Sequence, residues 1–187
     1  MKHTQKKIVR SVTAIALALG ALAFIPVARA VADNREPGLP SPACDSLQVP
    51  DGNVVAFHAY AIGVQIYTWN GTAWVFVAPA AVLYADAGHH GKVGIHYAGP
   101  TWESNSGSKV LGARLAGCTP DSSAIPWLKL GAISSEGPGV LHRVTFIQRV
   151  NTVGGKAPSK PGTSVGQEAD VPYTAEYYFY RSQAEED

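Results

Sequence analysis

Short β-rich segments separated by turn residues most constrain the fold of this chain. After residue 30, no stretch keeps a helical period of apolar residues over three turns. Several short strands with frequent turns are typical of a sandwich or a barrel. We therefore predict an all-β fold, a single-domain antiparallel sandwich or barrel. The strands are expected at residues 54–60, 63–69, 72–77, 82–85, 93–98, 109–116, 127–132, 140–150 and 173–180.

The dipeptide Asn70-Gly71 separates two of these segments and predicts a β-hairpin, because both residues tolerate positive φ angles. A two-residue turn would place Tyr67 opposite Trp74. It would also gather the larger side chains on one face of the hairpin, namely those of Gln65, Tyr67, Trp69, Trp74 and Phe76.

Residues 1–30 are typical of a secretory signal peptide. A basic start precedes an apolar run from Ala14 to Ala28, and Ala28-Arg29-Ala30 fits the small-x-small cleavage pattern. A membrane span needs about 20 apolar residues, and this run is shorter and contains Pro26. We expect a secreted or periplasmic protein with no membrane span after signal removal. A Pro-rich lead-in (31–50), a β-rich domain (51–181) and an acidic tail (182–187) would follow.

The charge of the predicted mature chain argues against a nucleic-acid partner. Residues 1–30 hold five basic and no acidic side chains, so their removal leaves ten basic and 14 acidic residues, a net charge of −4. Nucleic-acid binding calls for a basic face instead. The two cysteines, Cys44 and Cys118, are predicted to form a disulfide, as an even pair does in an oxidising compartment.

Five groups of motifs occur in order between residues 54 and 180. They are Gly63-Val64-Gln65-Ile66-Tyr67; His96 to Glu103 with Gly107 to Val110; Ile125-Pro126-Trp127-Leu128; Ile147 to Thr152 with Gly154-Gly155 and Ala157-Pro158; and Val171 to Tyr177. Together they resemble the secreted bacterial and fungal domain-of-unknown-function family numbered thirty-four fifty-five. The resemblance implies export and a single β-rich domain, and it implies no reaction.

Some members of that family carry a malate dehydrogenase label, which this sequence does not support. It lacks the strand–Gly-x-Gly-x-x-Gly–helix fingerprint that places a dinucleotide on a helix N-terminus. We therefore expect no cofactor. Four histidines, His58, His89, His90 and His96, raise the question of a metal, but they show no metal-binding spacing, and we expect no metal site.

Three residues are candidates for catalysis: His96, Glu103 and Arg149. His96 lies on the opposite strand face from the apolar Val93 and Ile95, and Glu103 follows beyond the Gly99-Pro100 bend. A His and a carboxylate around a bend can act as a general acid/base pair, with Arg149 holding an anion. The alternative is structural: a hydrogen bond across the bend and an internal ion pair.

Aromatic residues are the candidates for ligand binding, above all Trp69, Trp74 and Trp102. Exposed rings can stack against the sugar rings of a glycan, but both faces of a central hairpin can also be core. The first hypothesis is therefore an exported β-module that binds an envelope or extracellular ligand, such as a glycan or another small molecule. A small hydrolase or metal-dependent enzyme and a structural envelope protein are the alternatives.

Overall fold

The computed structural model describes residues 35–183, which form a closed antiparallel barrel of eight strands. Each strand pairs with the next along the chain, and the last pairs with the first. The predicted all-β single domain is confirmed, as a barrel. The strands are β1 (Asn53–Trp69), β2 (Trp74–Tyr84), β3 (Lys92–Tyr97), β4 (Thr101–Ser104), β5 (Lys109–Cys118), β6 (Trp127–Glu136), β7 (Val144–Gly154) and β8 (Glu168–Ser182).

The predicted signal peptide, residues 31–34 of the predicted lead-in and residues 184–187 of the predicted tail lie outside the described residues. Within residues 35–183, no helix has the length and apolar character needed to cross a membrane.

The first strand is longer than the sequence pattern predicted. Residues 54–60 and 63–69 were expected as separate strands, yet β1 runs unbroken through Gly63 for 17 residues. A Cβ atom at Gly63 would lie 2.1 Å from the backbone oxygen of Ala80, so only glycine lets β1 and β2 approach this closely. The glycine that suggested a break instead permits continuous pairing.

The hairpin register differs from the predicted one by two residues. Trp69 pairs with Trp74, and Tyr67 pairs with Phe76. The side-chain oxygen of Asn70 accepts hydrogen bonds from the backbone N–H groups of residues 72 and 73, at 2.9 and 2.8 Å, and so closes a longer turn. A shift of two residues keeps the faces, so the aromatic side chains still lie together.

Smaller differences concern β2, β4 and β7. The segments 72–77 and 82–85, expected as separate strands, lie mostly within the single strand β2. The short strand β4 was not predicted, and it follows the Gly99-Pro100 bend directly. The predicted strand at 140–150 begins only at Val144, because Arg143 has a φ of 57° that interrupts extended backbone.

Small and large side chains from neighbouring strands fill most of the barrel interior. On β1 the inward side chain of Ala59 pairs with Tyr177 of β8, so that a methyl group makes room for a ring. The interior core also includes Leu83, Trp102, Val110, Leu130, Ile147, Tyr173 and Phe179.

The lead-in covers part of the outer barrel surface. Cys44 and Leu47 are fully buried there, against a second apolar cluster formed by Val55, Trp127, Val150, Tyr178 and Tyr180. The Nε2 atom of Gln148 donates a hydrogen bond to the Leu47 carbonyl at 2.7 Å. The predicted disulfide between Cys44 and Cys118 is confirmed and joins the lead-in to β5. A disulfide of this kind fits an extracellular or periplasmic protein.

Candidate functional site

The barrel holds a cavity of about 290 Å³ at one end, near the turns that join β1 to β2 and β3 to β4. This volume is at the lower limit of the about 300–1,000 Å³ of small-molecule sites. The walls are mainly apolar, with cationic and neutral polar groups among them. The lining residues are Gln65, Phe76, Val77, Pro79, His96, Gly99, Pro100, Trp102, Arg114, Leu128, Leu130, Arg149 and Tyr177.

Strand pairing explains why these distant residues meet. Residues that pair across neighbouring strands point to the same face, and here the shared face is the barrel interior. His96 pairs with Trp102. Arg149 pairs with Leu128 on one side and with Tyr177 on the other. Closure of the barrel therefore brings residues from all eight strands around one cavity.

His96 is a buried, neutral imidazole in the cavity wall. Its ring stacks on Trp102, with centroids 4.3 Å apart and planes 6° from parallel, and the residue is only 3% exposed. Nδ1 donates a hydrogen bond to the Thr101 carbonyl at 2.8 Å, which leaves Nε2 as the unprotonated nitrogen. Burial lowers the pKa of His96 to about 3, and the Arg149 charge acts in the same direction.

Arg149 supplies a fixed positive charge beside this ring. Its Nε and Nη2 atoms donate to the Pro126 carbonyl at 3.2 and 2.8 Å, so one edge of the guanidinium is anchored. Burial raises the pKa of the Tyr177 hydroxyl, and the charge of Arg149 opposes that rise. The charge of Arg149 likewise opposes the rise that burial causes in the pKa of the Tyr67 hydroxyl.

Two buried donors in cavity-lining residues have no hydrogen-bond partner among the described residues. They are Nε1 of Trp102 and Nε2 of Gln65; the Gln65 amide lies near the Tyr173 hydroxyl and opposes the rise that burial causes in the pKa of that group. A buried donor left unpaired costs about 1–3 kcal/mol. No aspartate or glutamate is among the lining residues. The cavity lining therefore contains buried N–H donors and positive charge, and no carboxylate of the lining balances them.

The catalytic candidates are only partly brought together. His96 and Arg149 line the cavity, but Glu103 lies on the outer face of β4 because it pairs with Ile95 rather than with His96. There Glu103 accepts hydrogen bonds from the Tyr97 hydroxyl at 3.0 Å and from Lys109 Nζ at 3.2 Å. Lys109 and Tyr97 lower the pKa of its carboxyl.

The three tryptophan candidates lie in two places. Trp102 is 1% exposed and forms part of the cavity wall. Trp69 is buried near the hairpin turn, where its ring lies against Gly162. Trp74 contacts the Trp69 ring edge and donates from Nε1 to the Lys160 carbonyl at 2.8 Å. The loop of residues 155–167 thus packs on Trp69 and Trp74.

The histidines do not form a cluster. In residues 35–183, no three His, Cys, Asp or Glu side chains are placed to hold a metal ion together. His58 lies on the outer barrel face, with Nε2 at 2.9 Å from Glu176 Oε2 and its ring stacked on Tyr178. His90 lies 3.2 Å from the Asp86 carboxylate in the β2–β3 turn.

Sequence reasoning did not select Gln65, Arg114 or Tyr177 as site residues. The signal for Gln65 and Arg114 was present, since each is a polar residue within an otherwise apolar alternation. Tyr177 gave no such signal, because aromatic residues crowd β8 on both faces.

Residues 50–181 match the family model described as Protein of unknown function (DUF3455). The chain belongs to this family. The resemblance seen in the sequence motifs is therefore confirmed, and the DUF3455 domain spans nearly the whole barrel. The match begins at Pro50, the last residue of the lead-in that carries Cys44. No curated protein and no solved structure matches the chain.

Proposed function

We propose that this DUF3455 barrel is an exported binding module that holds a small organic anion with an apolar body in its cavity. The observation that carries the proposal is the pair of unpartnered donors, Gln65 Nε2 and Trp102 Nε1, in a cavity that also contains Arg149. A carboxylate accepts several hydrogen bonds and prefers charged donors, so it suits a cavity whose lining contains these three groups.

The walls of the cavity support an apolar body for this ligand. Leu128 and Leu130 lie in the interior, and Phe76 and Val77 are 50% and 55% exposed at the mouth. Burial of an apolar chain against such side chains is favourable by about 25 cal/mol per Å². A fully polar ligand would gain nothing from these contacts.

A polysaccharide is less well supported than a small anion. Stacking against sugars needs exposed rings, whereas Trp69 and Trp102 are buried and the Trp74 indole N–H is already engaged by Lys160. The acid/base enzyme is less well supported too, because it needs Glu103 in the same concave site as His96.

Titration of the protein with octanoate, followed by NMR of the indole N–H groups, tests the proposal. The Trp102 signal, assigned by its loss in Trp102→Phe, should shift downfield when a carboxylate accepts from Nε1. The Trp74 signal is an internal control, because its N–H already donates to a backbone carbonyl. Absence of saturable octanoate binding, or binding that leaves the Trp102 signal unchanged, would contradict the proposal.

Matched ligands and variants separate charge from apolar burial. 1-Octanol has the same chain without the charge and should bind much more weakly. Arg149→Gln should weaken octanoate binding by about tenfold or more, since hydrogen bonds to charged groups contribute about 1.5–3 kcal/mol. Arg149→Lys should recover part of the loss. Trp102→Ala is unsuitable, because truncation of so buried a ring costs about 3–5 kcal/mol of stability.

A further inference from the structure

Arg114 is a second cation in the lining of the same cavity. We infer that it binds a second anionic group, so that the preferred ligand is an elongated dianion with an apolar centre, such as an α,ω-dicarboxylate. This inference rests on the proposed function, in which Arg149 holds the first anionic group.

The pairing of β5 shows that Arg114 belongs to the interior face. Arg114 pairs with Leu130, and Leu130 pairs with the fully buried Ile147. Because paired residues share a face, Arg114 lies on the inner side of β5, in line with the buried Val110. An exposed arginine on this face of a barrel is placed at the cavity mouth.

No hydrogen bond or ion pair joins the Arg114 side chain to any residue in 35–183. Other basic side chains of the barrel are engaged: Lys109 pairs with Glu103, Lys129 donates to the Gln48 carbonyl, and Arg181 donates to the Val140 carbonyl. The Arg114 guanidinium instead lies over Gly117, where a Cβ atom would come within 2.7 Å of Nη2. Its donors remain available to a ligand.

The two arginines are set apart by a single strand. Arg114 is on β5 and Arg149 on β7, and β6 lies between them with Leu128 and Leu130 facing the cavity. Two interstrand spacings and the two-residue offset from Leu128 to Leu130 along β6 separate their backbones by about 12 Å. A ligand that reached both guanidinium groups would therefore place a short apolar chain across the two leucines.

A comparison of suberate with octanoate, which have carbon chains of the same length, tests the inference. The wild-type protein should bind suberate about tenfold more tightly than octanoate, because a second charge-assisted bond forms at Arg114. Arg114→Gln should lower suberate affinity by about tenfold more than octanoate affinity and so abolish this preference. A series from glutarate to sebacate should show an affinity optimum at one chain length, because strands hold the arginines at a fixed separation.

The matched control is Lys92→Gln, which removes one positive charge from an exposed position outside the cavity lining. It should leave the preference for suberate intact. An equal loss in both variants would show that long-range charge, and not Arg114, selects the dianion, and would overturn the inference. Equal binding of suberate and octanoate by the wild-type protein would overturn it as well, with the proposed function unaffected. Failure of both ligands to bind would instead refute the proposed function itself.

Discussion

Replacement of His96 by phenylalanine should remove a defined part of the acid sensitivity of the barrel. The imidazole is buried against Trp102, and its protonation would place a second positive charge near Arg149. No carboxylate lines the cavity to offset that charge, and the other ionisable neighbour, Tyr177, is a buried hydroxyl in edge contact with the ring. The folded state therefore strongly disfavours the protonated ring.

The sign of the effect follows from the two pKa values of His96. The pKa is about 3 in the folded protein and 6.5 as the ordinary value, which we take for the unfolded chain. Between these values the unfolded chain binds more protons, so the free energy of unfolding falls as the pH falls. One such group contributes up to about 1.4 kcal/mol per pH unit. Integrated from pH 6.5 to pH 4.5, the loss is about 2 kcal/mol.

This pH window separates His96 from the carboxylates. The pKa values of Glu103 and Glu176 are lowered from 4.5 by their hydrogen-bond donors. Their stabilising contributions are therefore lost mainly below the window, as the pH falls from their unfolded pKa values through their folded ones.

Urea denaturation at a series of pH values, monitored by tryptophan fluorescence, measures the difference. The wild type should lose about 2 kcal/mol more than His96→Phe between pH 6.5 and pH 4.5. The variant should be less stable at neutral pH, because the Thr101 carbonyl loses its donor. The amide of His96→Asn can donate to that carbonyl. This variant should show the same smaller loss of unfolding free energy between pH 6.5 and pH 4.5 as His96→Phe. Parallel stability profiles for wild type and both variants would refute the buried neutral imidazole.

Three further predictions concern residues that stabilise the barrel and the segments packed on it. Cys44→Ser opens a cross-link that spans 74 residues and should lower the free energy of unfolding by about 2–4 kcal/mol; an unchanged denaturation midpoint would contradict this. Gly63→Ala should destabilise by about 3 kcal/mol because its Cβ overlaps a backbone oxygen, whereas Gly38→Ala, in open space, should change stability by less than about 0.5 kcal/mol. Trp74→Phe removes the hydrogen bond to Lys160 and should speed amide exchange in residues 155–167; unaltered exchange would show that other contacts fix this loop.

The face of a strand that enters the barrel could not be read from hydrophobicity alone. In β7, the alternation groups Val144, Phe146, Gln148 and Val150 on one face and puts Arg149 on the other. The apolar face would ordinarily be the interior, yet Arg149 lines the cavity while Val150 packs against the lead-in. Because the lead-in covers the outside here, both faces of the strand are buried. Hydrophobicity then no longer distinguishes the inner face of the strand from the outer one.

The candidate site was partly predictable for the same reason. Alternation correctly set His96 apart from Val93 and Ile95, but nothing local indicated that the histidine side is the inner one. Glu103 follows His96 closely in sequence, and this closeness suggested a pair. Register decides otherwise, because His96 pairs with Trp102 and so leaves Glu103 on the opposite face.

The sequence by itself determined the properties that depend on local chemistry or on composition. The strand class, the position of the hairpin at Asn70-Gly71, the disulfide between the two cysteines and the family are all readable from residue type and order. Only the tertiary structure decided the closure into a barrel, the hairpin register and the meeting of Gln65, Arg114 and Arg149 around one cavity. These features depend on pairing between strands far apart in the chain, and a change of one residue in any register would turn a side chain from the cavity to the outer surface.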